Sequence, residues 1–230
     1  VGKNLSDHVL TFITYPINPN VPQFSGKPLE LMKAFWDYYV SGSGTLSVPI
    51  ILATAFFRSG IRPEEDGNDL QIHFSPYNNS DPALTEKNFG YNMSLPRYQD
   101  TTDYGPCLNV LPSLVRPRSK GEVTLRSNCP FDKVVIDPRY FSDEDDMKML
   151  IACYRKCIEI VDNSTALQDI LGPRVINKAS KNDPNSDAYI IEEIREQTVT
   201  IFHPVGTAKM GRLDDPTAVC DARTLKVKGF

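Results

Sequence analysis

The sequence lacks most of the features on which common function classes depend. Its longest apolar run, residues 48–57 (VPIILATAFF), is too short to span a bilayer, so no membrane span is expected. Lys and Arg number 25 against 29 Asp and Glu, for a net charge of −4. No broad basic surface is left to neutralise phosphates, which argues against a nucleic-acid partner. The five cysteines (Cys107, Cys129, Cys153, Cys157, Cys220) have no CxxC spacing and the three histidines are scattered, so no metal site is expected. No Gly-x-Gly-x-x-Gly turn is present to cradle a pyrophosphate, and no Gly-x-Ser-x-Gly elbow to present a nucleophile. The chain opens without an initiator Met or a signal-peptide pattern, and it contains no internal repeat.

What is present fits a globular protein with a substantial core: 230 residues, 40% apolar and 23% charged. In Pro28–Ser41, Leu29, Leu31, Met32, Phe35, Trp36 and Tyr39 recur near the helical period, with Pro28 in the first turn and Gly42 and Gly44 beyond the end, so an amphipathic helix is expected. Residues 45–57 read as extended, with the apolar run as a buried strand. Residues 69–75 alternate, with Leu70, Ile72 and Phe74 on one face and Gln71 and His73 on the other; Pro76 closes this half-buried strand. Residues 77–104 are polar and predict a surface excursion or short elements. Short strands are expected at 122–126 and 134–136. A helix capped by Ser142 with Asp145, and carrying acids in its first turn, is expected to run to about Val161. Cys153 and Cys157 share a face of that helix, where disulfide geometry is poor, and read as small core residues. A further helix is expected at 188–196, and a strand at 198–202 delivering His203. The architecture is mixed, with antiparallel-looking strands and none of the regular strand–helix alternation of a nucleotide-binding domain.

Acid–base chemistry near neutral pH points first to histidine. His73 sits on the polar side of an alternating strand and His8 in a polar turn-like stretch, and both read as ordinary hydrogen-bonded residues. His203 lies between a strand-forming run and a turn, beside Pro204, Gly206, Thr207 and Gly211. A rigid strand end presenting an imidazole is what a general base requires. On the residues alone, a structural role for His203 stands equally beside it.

The stretch FHPVGTAKMG resembles the H-P-x-G-T-x-x-M-G signature of the glucose–methanol–choline (GMC) oxidoreductase family. VGKNLSDH resembles the family's G-x-N-L-x-D-H segment, RPRSKGEVTLRS its R-P-x-S-x-G-x-V-x-L-x-S strand, and DPTAVCDARTLKVKG its D-P-x-A-V-V-D-x-x-L-x-V-x-G run. IDPRYFSDEDDMKML is similar to its strand, short loop and acid-capped helix, and the whole pattern most resembles the insect glucose dehydrogenase-like branch.

The resemblance implies an α+β fold: a substrate domain with a mainly antiparallel sheet flanked by helices, and a C-terminal segment belonging to an FAD-binding domain otherwise missing. It divides the chain into 1–114 (inter-domain segment and first part of the substrate domain), 115–198 (C-terminal substrate region) and 199–230 (His segment returning to the FAD domain). It implies FAD as cofactor, His203 as general base toward a substrate hydroxyl, and Phe202 as a pocket wall. It implies a small alcohol or sugar as substrate, with oxygen or quinone as electron acceptor. The glycine-rich fingerprint would lie before Val1 and a second catalytic His or Asn after Phe230, so a fragment is expected; Ala208 and Cys220 depart neutrally from the pattern. The rival reading is a non-catalytic binding protein that keeps the substrate domain and has lost flavin. Four N-x-S/T sequons (Asn4, Asn78, Asn92, Asn163) favour a secreted protein.

Overall fold

The structure, a computed structural model, describes residues 1–20, 28–47, 49, 51–64, 67–76, 90–92, 94–99 and 104–229. At its centre is β6 (Cys107–Leu114), buried along its whole length. On one side it pairs antiparallel with β5 (Leu70–Ser75), which pairs in turn with the edge strand β4 (Ala53–Phe57). On its other side lie β2 (Val9–Leu10) and β3 (Ile13–Pro16), and β2 also pairs with β9 (Val199–Thr200). Proline in so central a strand normally removes a ladder bond. Here the Pro112 carbonyl accepts from Thr11 N at 3.0 Å, and a strand residue's N and C=O point to the same side. The missing N–H therefore faces the break between β2 and β3.

Period-2 alternation gives this sheet two faces. Leu70 and Ile72 of β5, Val110 and Leu114 of β6, and Ile13 of β3 face α2 (Glu144–Asp162). That helix presents Met149, Leu150, Cys153, Tyr154, Cys157 and Val161 to them at helical spacing, all buried. The free thiols of Cys153 and Cys157 are therefore core residues, and burial pushes the Cys157 thiol well up from its ordinary value. After the short α3 (Thr165–Gln168), α4 (Asp187–Gln197) packs on α2 through Ile190 and Ile194. Arg97 forks onto Glu193 of α4 at 2.7 and 3.2 Å and reaches Glu196 at 3.1 Å, pinning the 94–99 segment to this helix. The opposite sheet face carries a smaller cluster (Leu10, Phe12, Tyr91, Leu111, Val199) and, on β4 and β5, the paired positions Thr54 and His73.

A separate antiparallel sheet runs β1 (Lys3–Leu5), β7 (Gly121–Thr124), β8 (Val135–Asp137), and a small parallel pair joins β10 (Met210–Gly211) to β11 (Cys220–Asp221). The expected strands at 69–75, 122–126 and 134–136 and the expected helices all form, so the fold is the mixed, mainly antiparallel one that the sequence implies.

Four local expectations are corrected. The cap of α2 is Asp143, whose side chain accepts from Asp145 N at 3.0 Å, because the Ser142 backbone closes the preceding turn onto Arg139 O. The apolar run at 48–57 is not a buried strand: among the described residues the strand itself is Ala53–Phe57, at the sheet edge with Phe56 58% exposed, and Val48 and Ile50 lie outside the described residues. Thr45–Ser47 form a 3-10 turn. The strand at 198–202 shortens to Val199–Thr200, since the backbone turns at Phe202 (φ 61°). The helix α1 (Pro28–Ser41) forms with only Ala34 buried, so its apolar stripe is exposed. Most of the polar stretch at 77–104 lies outside the described residues; among these, no helix is long and apolar enough to cross a membrane.

Ile72, wholly buried between β6 and α2, should be a sensitive point of this core. Ile72→Ala is expected to cost about 2–5 kcal/mol in denaturant unfolding, through lost transfer energy plus the cavity left behind.

Candidate active site

Two segments far apart in sequence build the site. Residues 2–8 run beside residues 199–207: Gly2 N donates to Thr207 O (2.8 Å), Ser6 and Val205 exchange both backbone bonds (2.9 and 2.8 Å), and Ile201 N donates to His8 O (3.2 Å). Gly206 has φ +94° and a Cβ there would strike the Asn4 carbonyl, so this approach requires glycine. Phe202 also sits in the left-handed region, a cost of about 1–2 kcal/mol for a residue with a side chain. Its N–H donates to Thr200 Oγ1 at 2.8 Å, which helps hold the turn.

Asp7 is the hub. Buried, it accepts from the His203 backbone N–H (3.1 Å) on Oδ1, and from the Tyr140 hydroxyl (2.7 Å) and the Thr200 hydroxyl on Oδ2. Burial, and then this bond to a carboxylate, push the Tyr140 phenol up from its ordinary value. The carboxylate thus fixes the turn immediately before the imidazole of His203. Sequence reasoning missed Asp7, although it forms part of the G-x-N-L-x-D-H segment.

His203 is exposed and meets His8: the two Nδ1 atoms are 3.1 Å apart, with ring centroids at 5.2 Å and planes at 76°. His8 is therefore no isolated turn residue. His73 lies on the same side of the sheet, with Nδ1 3.1 Å from Thr54 Oγ1. Burial, and next the positive charge His203 would carry, lower both the His8 and the His73 pKa below 6.5; for His8, Asp7 and a hydrogen bond to the Val115 backbone oppose this. The structure gathers all three histidines of the chain into one electrostatically coupled group. Phe202, 69% exposed, turns the other way and lines an open, largely apolar hollow of about 510 Å³ with Leu5, Val123, Ile136, Tyr140 and Val205.

An exposed imidazole paired with a second one at the end of a strand is chemically able to take up or give a proton near neutral pH. The GMC oxidoreductase family model matches residues 117–230, the half of the chain that contains His203. Over its whole length the chain is 32% identical to an alcohol dehydrogenase [acceptor] of Pseudomonas putida and 31% identical to an oxygen-dependent choline dehydrogenase of Brucella anthropi, covering 38% of each. A formate oxidase of Aspergillus oryzae superposes on 96% of the chain and 40% of its own, with a TM-score of 0.68 at 20% identity. Residues 117–230 are thus similar to the C-terminal part of GMC oxidoreductases, and the chain spans 38% of the length of the two relatives named.

Asp7→Ala would leave three donors without their acceptor, and should cost about 2–4 kcal/mol of stability. Amide exchange in residues 201–206 should then accelerate more than in β6. Acid should weaken the fold as well. The unfolded chain takes up protons on residues 8 and 73 near 6.5, whereas the folded chain does so only at lower pH. Stability therefore rises with pH across that window and is lost as pH falls through it. His8→Gln should flatten this slope in urea unfolding followed below and above 6.5.

Proposed function

We propose that the protein containing this chain is an FAD-dependent oxidoreductase acting on CH–OH groups, with His203 as general base. The observation that supports this best is the exposed imidazole of His203, held at its backbone by Asp7 and at its ring by His8. The family match of residues 117–230 supports the reaction class. FAD, which the formate oxidase of Aspergillus oryzae also carries, would accept the two electrons as a hydride from the carbinol carbon. The hydroxyl proton goes to the imidazole of His203, the C–H and O–H bonds break, and the donor leaves as an aldehyde, ketone or lactone.

The described residues fit one wall of a flavin site. Phe202 and Val205, both more than half exposed, offer apolar surface in the hollow next to the His203 turn, which suits a flat aromatic ring system. A pyrophosphate cradle of the Gly-x-Gly-x-x-Gly type is not among this chain's motifs.

For substrate we propose a small alcohol or sugar, on the likeness to the glucose dehydrogenase-like branch, with oxygen or quinone as acceptor. Phe202 is assigned to the wall of the hollow beside the site. We assign residues 1–114 to an inter-domain segment and the first part of a substrate domain, 115–198 to its C-terminal region, and 199–230 to the return toward a flavin domain. Secretion is proposed on the sequons: Asn92 and Asn163 are exposed, Asn4 is half-buried in β1, and Asn78 lies outside the described residues. The competing reading, a binding protein without flavin, predicts no bound chromophore and no turnover.

In the full-length protein, His203→Ala should lower kcat/KM for alcohol donors by about 100- to 10,000-fold with the flavin absorbance retained. Near-normal turnover in the variant would remove His203 from the role of base. A native protein without flavin would favour the binding reading.

A further inference from the structure

We propose that Asn163 is the position at which this chain carries an N-linked glycan, and that the fold closes the sequon at Asn4. The inference rests on the reading of the protein as secreted and says where on the surface that reading leaves its mark. The donor is an oligosaccharide on a lipid diphosphate. The carboxamide nitrogen of Asn bonds to the anomeric carbon, the bond from that carbon to the diphosphate breaks, and the nitrogen loses one proton as the lipid diphosphate leaves. Attachment precedes folding, so the folded molecule must leave room for whatever the chain already bears.

The corner between α2 and α3 leaves that room. Asn163 is the C-cap of α2, at φ −94° and ψ −1°. Its N–H donates to Glu159 O at 3.0 Å, and Ser164 N–H donates to Val161 O at 3.2 Å. The Ser164 hydroxyl accepts from Leu167 N at 3.3 Å, capping α3, and the Gln168 side-chain amide donates to Asp162 O. Backbone and neighbouring side chains thus hold the corner, and among the described residues nothing bonds to the Asn163 carboxamide. Asp162, Asn163, Thr165 and Ala166 are all exposed. A bulky, hydrated group on that nitrogen displaces no contact, and none of the groups that hold the His203 turn lies in this corner.

The other described sequons are in structural use. Asn4 is half-buried in β1 with φ 64°, and its carbonyl is the one that a Cβ at Gly206 would strike. Ser6, the third residue of that sequon, exchanges both backbone bonds with Val205, and its hydroxyl accepts from Lys120 Nζ at 2.8 Å. A glycan on Asn4 would stand in the seam between residues 2–8 and 199–207, on which the His203 turn depends. At Asn92 the carboxamide Oδ1 already accepts from Ser94 N at 3.1 Å and holds a turn.

The test is peptide mapping of the full-length protein secreted from eukaryotic cells behind a leader peptide. Glycans are released with an N-glycan amidase in heavy-oxygen water, which leaves a labelled aspartate wherever a glycan stood. In the folded, secreted fraction the label should be near-complete at residue 163 and absent at residue 4. Asn163→Gln and Thr165→Ala, which break the same sequon in two ways, should each lose the mass of one glycan and keep the flavin and kcat/KM of the parent. Residue 163 unlabelled in that fraction, or residue 4 labelled as fully as residue 163, overturns the proposal. The same map of the protein purified from its source tests secretion separately: no label at any sequon there, with residue 163 labelled in the routed protein, rejects the secretion reading while the assignment of the open site stands.

Discussion

A carboxylate withdrawn from water must find donors or lose its charge, and Asp7 is such a group. Its donors come from two distant parts of the chain. One is the hydroxyl of Tyr140, in the loop before α2; the others are the Thr200 hydroxyl at the end of β9 and the His203 backbone N–H. Neither part is near Asp7 in sequence, nor near the other. Satisfying one buried charge therefore ties the N-terminal segment, the approach to α2 and the His203 turn into a single unit. Bonds to an ionised acceptor are stronger than neutral ones, which is why one residue can hold a turn that also contains a left-handed Phe202.

The sheet divides labour between its faces. One face is apolar and closed by α2, with α4 behind it, and supplies most of the core. The other has a smaller apolar cluster and leaves Thr54 and His73 facing the side where His203 stands. β6 can be buried on both faces because each has its own covering layer. Rigidity thus comes from the closed face, and the exposed imidazole of His203 stands on the side of the more open one.

How much of this was legible in the sequence varied with the range of the forces involved. The apolar period of Met149, Leu150, Cys153, Tyr154 and Cys157 announced α2, and the alternation of Leu70, Ile72 and Phe74 announced β5, because each pattern mirrors one buried face. The cap moved from Ser142 to Asp143 because both residue types can cap, and the preceding turn at Arg139 makes the choice. The run at 48–57 looked like a core strand by composition, yet β4 became an edge. Hydrophobicity says that a segment can be buried; neighbouring elements determine whether it is. The stripe on α1 shows the same: the helical period was right, and burial did not follow.

By itself, then, the sequence determined the local elements, the mixed antiparallel class, the likeness to the GMC oxidoreductases and the candidacy of His203. All of these are written in short windows of chain. The partners of His203 were decided by tertiary structure alone. Residues 8 and 203 are separated by 195 positions, and their contact leaves no periodic trace in either segment. His8 and His73 each look ordinary within their own windows. Only the strand pairing of β2 with β9 and of β4 with β5 and β6 brings the three imidazoles together, and the burial that follows makes their charges felt by one another.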